Sequence, residues 1–213
     1  MDNFLKRFII ITLLIIPGYL QAQVSEASGT YQNKNIPALL ADEINEALSY
    51  FPELWKVKID FIFKDKIKNS IMQAQPRVRT LLKKKEERTY KIKISRQLTM
   101  GDVSIPIEKV PHEILVGWIG HELGHIMDYV NRSAVQMVGF GINYMTSRKF
   151  LRNAELMADR YAIAHGLADH IIKTKNYILN HEHLSEDYKT RIDELYLSPE
   201  EVRLIESELN TGG

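Results

Sequence analysis

The chain contains no cysteine, which excludes disulfides, thiol catalysis, a lipid anchor attached at a signal cut and a cysteine-based latch. It also lacks an excess of charge: 28 Lys and Arg against 27 Asp and Glu leave +1, so no global field points to nucleic acid or lipid. No aromatic residues interleave its basic stretches, so a nucleic-acid surface is not expected. No internal repeat is present, and no apolar run comfortably spans a bilayer. What remains is ordinary globular composition, 45% hydrophobic and 26% charged over 213 residues, enough for one domain with a substantial core.

The N-terminus reads as an export signal over residues 1–22. Lys6 and Arg7 form a positive region, Phe8 to Ile16 an apolar one, Pro17-Gly18 a break, and Ala22 a small residue before a cut. An uncleaved anchor is the alternative, and the destination is periplasmic or extracellular. Residues 23–35 are small and polar, a flexible leader. Residues 36–213 then form a single domain whose active-site core spans about 111–166.

Within it, Leu39, Leu40, Ile44, Leu48 and Phe51 recur at helical spacing, and the run 56–63 alternates as a strand. Residues 65–82 are mixed and broken by Pro76. Thr89 to Ser95 is a second alternating strand, expected to be either a half-solvated strand or an edge that pairs with extended substrate. Residues 101–111 look like a loop or short strand. The apolar stretch 134–145 is too short for a membrane span. It is expected as a buried helix or a loop over the active site, a membrane-touching lip being the alternative. Arg148 to Gly166 reads as a helix ended by its glycine, and Ser198-Pro199-Glu200-Glu201 as the start of another. The basic stretch around Lys83 to Arg88 and the acidic tail from Glu182 are expected to be solvated faces, with a basic groove for acidic substrate or anionic lipid as the sharper alternative.

One segment carries chemistry. Gly120-His121-Glu122-Leu123-Gly124-His125 lies in a long helical pattern beginning after Pro111. Residues four apart share a helix face, so His121 and His125 can point two imidazoles at one ion. Glu122 sits about 100° around the helix, within reach of a water in the metal's open position, where a metalloprotease keeps its general base. His112-Glu113 is not a second such motif, because no histidine stands at 116.

Thirty residues on comes Asn153-Ala154-Glu155-Leu156-Met157-Ala158-Asp159-Arg160-Tyr161-Ala162. His-Glu-x-x-His followed by Glu-x-x-Ala-Asp resembles the gluzincins, the thermolysin-like zinc peptidases, and within them the HtpX-type peptidases and minigluzincins. The resemblance covers residues 113–166 and omits the membrane spans of the HtpX type. It implies that His121, His125 and Glu155 hold one Zn2+, that Glu122 is the catalytic base, and that Asp159 orients a ligand histidine, His121. It also implies an α+β zincin-like fold: a small mixed or antiparallel sheet packed on the active-site helix, with a mainly helical C-terminal half.

The expected activity is zinc-dependent endopeptidase hydrolysis of a peptide or protein substrate, in which a zinc-bound water attacks with Glu122 as base. Membrane contact is not expected. Tyr129, Tyr144, Tyr161, His165 and His170 are the candidates for stabilising an oxyanion, while His181 and His183 are expected at the surface. A non-proteolytic zinc-binding adaptor and a zinc hydrolase of another amide, such as cell-wall peptide, are the alternatives.

Overall fold

A computed structural model describes residues 31, 33–67, 70–100, 103–180 and 186–211. The expected signal segment, most of the leader, and His181 and His183 lie outside these residues. The leader ends earlier than expected: β1 (Lys34–Asn35) already pairs with the first long strand, and the Lys34 ammonium donates to the carbonyls of Leu54, Trp55 and Val57 at 2.9, 3.0 and 2.6 Å. After a single 3-10 turn, α1 (Ala41–Ser49) buries Ile44, Ala47 and Leu48, the face its periodicity marks.

The main sheet has four strands in the order β1, β2 (Lys58–Lys64), β4 (Thr89–Ser95), β3 (Met72–Pro76). It is mixed: β1, β2 and β4 are parallel, and β3 runs against β4. Alternation puts Ile59 and Phe61 of β2, and Tyr90, Ile92 and Ile94 of β4, into the core. β4 is therefore an interior strand with neighbours on both sides, which corrects its candidacy as the substrate-pairing edge. The edge of the sheet beside β4 is β3, from the segment where Pro76 obscured the pattern. A proline without an N–H is tolerated at an edge, and Met72 and Ala74 still alternate inward. A separate hairpin, β5 (Gln97–Met100) with β6 (Val103–Pro106), leads into the central helix.

That helix, α2 (His112–Asn131), is buried over most of its length. His112 at its start is held by Glu43 and Glu46 of α1 at 3.2 and 2.6 Å. A capping box between Ser133 and Gln136 starts α3 (Ala134–Thr146), and Ser147 caps α4 (Arg148–Ala164). Gly166, at φ 86°, ends α4 as its position in the sequence indicates. Then follow α5 (Ala168–Leu179), α6 (Glu186–Leu195) and α7 (Pro199–Thr211), the last opened by reciprocal bonds between Ser198 and Glu201. One apolar cluster runs from Leu40 to Val202. Among the described residues no helix is long and apolar enough to cross a membrane.

The glycines of α2 decide how close its neighbours come. A Cβ on Gly117 would strike the Thr174 hydroxyl and the His170 carbonyl of α5, and one on Gly124 the Ala158 carbonyl of α4. Side-chain-free positions about two turns apart thus let α4 and α5 lie almost against the α2 backbone.

Candidate metal centre

This approach brings two buried polar rows face to face. His121, Glu122 and His125 of α2 meet Glu155 and Asp159 of α4, all under 9% exposed in an otherwise apolar interior. Glu155 Oε2 lies 3.1 Å from His121 Nε2 and 3.3 Å from His125 Nε2. One donor atom from each residue falls within 4.8 Å of the others, so these three side chains are near enough to hold a metal ion together.

The remaining atoms of these residues are tied back into the fold. Asp159 Oδ1 meets His121 Nδ1 at 2.8 Å, while Oδ2 accepts from Lys175 Nζ at 2.9 Å and from the Leu197 N–H at 3.2 Å. With Nδ1 tied to Asp159, Nε2 of His121 is turned toward Glu155 and the candidate ion position. The Tyr144 hydroxyl of α3 donates to Glu155 Oε1 at 2.6 Å, leaving Oε2 to the histidines. The Tyr129 ring stacks along His125, with centroids 6.0 Å apart.

Electrostatics follow from burial and from these partners. Burial opposes a charged His121, but its bonds to Asp159 and Glu155 outweigh this and raise it to about 10 in the metal-free site. Burial likewise opposes the Glu155 anion, yet the two imidazoles hold its carboxyl well below the usual range. Asp159 is also lowered: burial works against its charge, and Lys175 and His121 overcome it. Glu122 goes the other way, pushed up by burial and only partly restrained by the histidines. Burial and the adjacent Glu155 raise Tyr144, which keeps its phenol a donor.

Glu122 opens onto a cleft of about 530 Å³ between β3, α3 and the α6–α7 junction, with His125, Phe140, Tyr144 and Arg191 also on its walls. The Ala74 N–H of β3 donates to Glu122 Oε2 at 2.5 Å. The Ser95 N–H bonds to the Ile71 carbonyl and the Arg77 N–H to the Thr89 carbonyl, so odd-numbered residues of β3 pair with β4. Met72 and Ala74 consequently turn their backbone groups away from β4, toward the cleft.

All five residues singled out from the sequence come together. Of the oxyanion candidates, Tyr129 and Tyr144 line the cleft. Tyr161, His165 and His170 lie elsewhere: Tyr161 accepts from Asn131, His165 stacks on Phe51 and His170 faces Glu46. Sequence reasoning missed Lys175, whose signal was a lysine on the apolar face of α5 between Ile171 and Ile178. It also missed β3 as the wall beside Glu122. Comparison with protein-family models, curated proteins and solved structures finds no match to this chain, so the reading of this centre rests on its own geometry.

Proposed function

We propose that the chain is an exported zinc-dependent endopeptidase of the zincin type. The observation that carries this is the convergence of His121 Nε2, His125 Nε2 and Glu155 Oε2 beside a buried carboxylate, Glu122, that faces a cleft. Ligands 2.0–2.1 Å from a tetrahedral zinc lie roughly 3.3–3.4 Å apart. The separations of 3.1 and 3.3 Å from Glu155 fit that spacing, and two imidazoles with one carboxylate are a donor set that leaves a position open. Zinc held there would supply a Lewis acid and lower the pKa of a water in its open position.

The chain's own residues supply the rest. An extended peptide would add to the free edge of β3, using the outward backbone groups of Met72 and the Ala74 carbonyl, while the Ala74 N–H stays with Glu122. Glu122 would take the proton from the attacking water and pass it to the departing nitrogen. Its upward-shifted carboxyl suits a group that must both accept and release a proton. Asp159 and Tyr144 hold His121 and Glu155 in place, so little rearrangement accompanies reaction.

The test is cleavage of a mixed peptide library by the chain from Gln23 onward with zinc present, beside Glu122→Ala. The wild type should cut, and the variant should bind one zinc yet lose on the order of 10²–10⁴-fold in rate. Equal cleavage by both removes Glu122 as the base. One zinc bound by each with no cleavage by either turns the reading to the non-proteolytic alternative or another amide.

A further inference from the structure

Helix α3 is apolar on two opposite faces. Met137, Phe140 and Tyr144, within about 60° of one another around the axis, point inward to Glu155 and the cleft. On the other side Val135, Val138, Ile142 and Met145 fall within about 80° and are 81, 52, 55 and 81% exposed. An outward stripe of four aliphatic side chains is costly to leave in water and marks a contact surface.

The loop at residues 77–88 adjoins the start of this helix. Lys85 Nζ donates to the Asn131 carbonyl and Arg88 to the Arg132 carbonyl, which ties the loop to the start of α3. At the far end Val78 and Met145 share the mouth of the cleft. Val78 and Leu82 in this loop are 80 and 89% exposed.

The charge of these two segments is one-sided in sequence. Residues 129–154 carry four cations and no acid, and residues 77–88 carry six cations against two acids, in a chain whose net charge is only +1. Arg79, Lys83, Lys84 and Lys149 are exposed, and none has a carboxylate partner among the described residues.

We infer that α3 and the 77–88 loop form a docking surface for an anionic lipid bilayer, with the mouth of the cleft at the membrane. Exposed aliphatic side chains bounded by unpaired lysine and arginine are what an interfacial helix presents to acidic headgroups. A second copy of the chain would set the same cations against each other, so charge favours the bilayer over self-association. Vesicle binding needs no catalysis, so this inference stands or falls apart from the peptidase reading.

The experiment is co-sedimentation of the chain from Gln23, which carries every described residue and the whole apolar core, with vesicles. Pure phosphatidylcholine is compared with phosphatidylcholine mixed with phosphatidylserine, and the full-length chain is run alongside. Binding should require phosphatidylserine and weaken with salt. Val138→Asp with Ile142→Asp should lower affinity by about tenfold or more. Lys83→Gln with Lys84→Gln should lower it roughly fivefold per cation removed. All these positions are exposed, so an unchanged melting temperature verifies the fold. No binding to phosphatidylserine vesicles, or binding that neither pair of substitutions alters, overturns the inference. So does a dimer in sedimentation velocity that Ile142→Asp dissociates, which would make the face a contact between copies.

Discussion

His121 has a different partner at each ring nitrogen, Asp159 on Nδ1 and Glu155 on Nε2, and a metal held at Nε2 would therefore be coupled to protons. Its pKa of about 10 in the metal-free chain lies above the ordinary 6.5. The stabilisation from its ionic contacts with Asp159 and Glu155 is therefore fully present below pH 6.5 and is lost as pH rises through about 10. Between those limits zinc must displace a proton, so zinc affinity should rise by about one log unit per pH unit. Calorimetry in buffers of different ionisation enthalpy reads the released proton, and a pH-independent affinity would show that metal-free His121 carries no proton at Nε2 for zinc to displace.

Lys175 acts one bond further out, through Asp159. Replacing it by Met leaves Asp159 Oδ2 with only the Leu197 N–H in the buried site. Lys175→Met should cost about 3–5 kcal/mol in thermal or chemical unfolding. It should also weaken zinc binding by about 10–100-fold, because the carboxylate that orients His121 is no longer held. Unchanged zinc affinity would reduce Lys175 to a packing residue. The shared face of His121 and His125 was legible in the sequence because helical geometry turns a spacing of four into neighbours, while Glu155 and Asp159 were singled out through the resemblance of their motif. Lys175 was not read there, because a lysine among isoleucines declares its partner only when another helix brings a carboxylate to it.

At the scale of elements, the centre depends on α4 lying close to α2. Gly124→Ala would set a methyl group against the Ala158 carbonyl, and Ala158 lies between Glu155 and Asp159 on α4. The helices must then part, at about 1–3 kcal/mol, and zinc binding should weaken as Glu155 withdraws. Gly139→Ala is the control: a Cβ there meets nothing within 4 Å, so it should stabilise the protein slightly, by about 0.5–1 kcal/mol, and leave zinc affinity unchanged. Equal zinc affinities for the two variants would refute the close-approach argument. The β-strands illustrate the opposite balance. Thr89 to Ser95 was legible as a strand because local alternation dictates it, but its interior position follows from pairing with β2, whose partner Lys58 stands opposite Thr89, and with β3, whose Met72 stands opposite Ile94, and neither pairing is announced locally.

For the whole molecule, a bound metal stabilises only the folded chain, because His121 and His125 are brought to Glu155 across 34 and 30 residues of sequence. At zinc a hundredfold above its dissociation constant this amounts to about 2.7 kcal/mol. For a chain of this length that corresponds to roughly 5–10 °C, so chelation should lower the melting temperature by that much. Glu155→Ala should melt at one temperature with or without zinc. A chelator-sensitive melt in that variant would place the bound ion elsewhere.

Sequence alone determined what local periodicity and short spacing control. The long motif-bearing helix, the α4 stop at Gly166, the start of α7 at Ser198 and the pairing of His121 with His125 on one face all follow from the turn of a single helix. Tertiary structure decided what depends on distant segments meeting. It made β3 the edge beside Glu122, set Lys175 against Asp159 and turned Tyr144 toward Glu155. It also left the outer stripe of α3 in solvent, where residues 134–145 were expected as a buried helix or a loop over the active site. Hydrophobic pattern records that a face is apolar, and only the packed chain records which of two apolar faces the core has used.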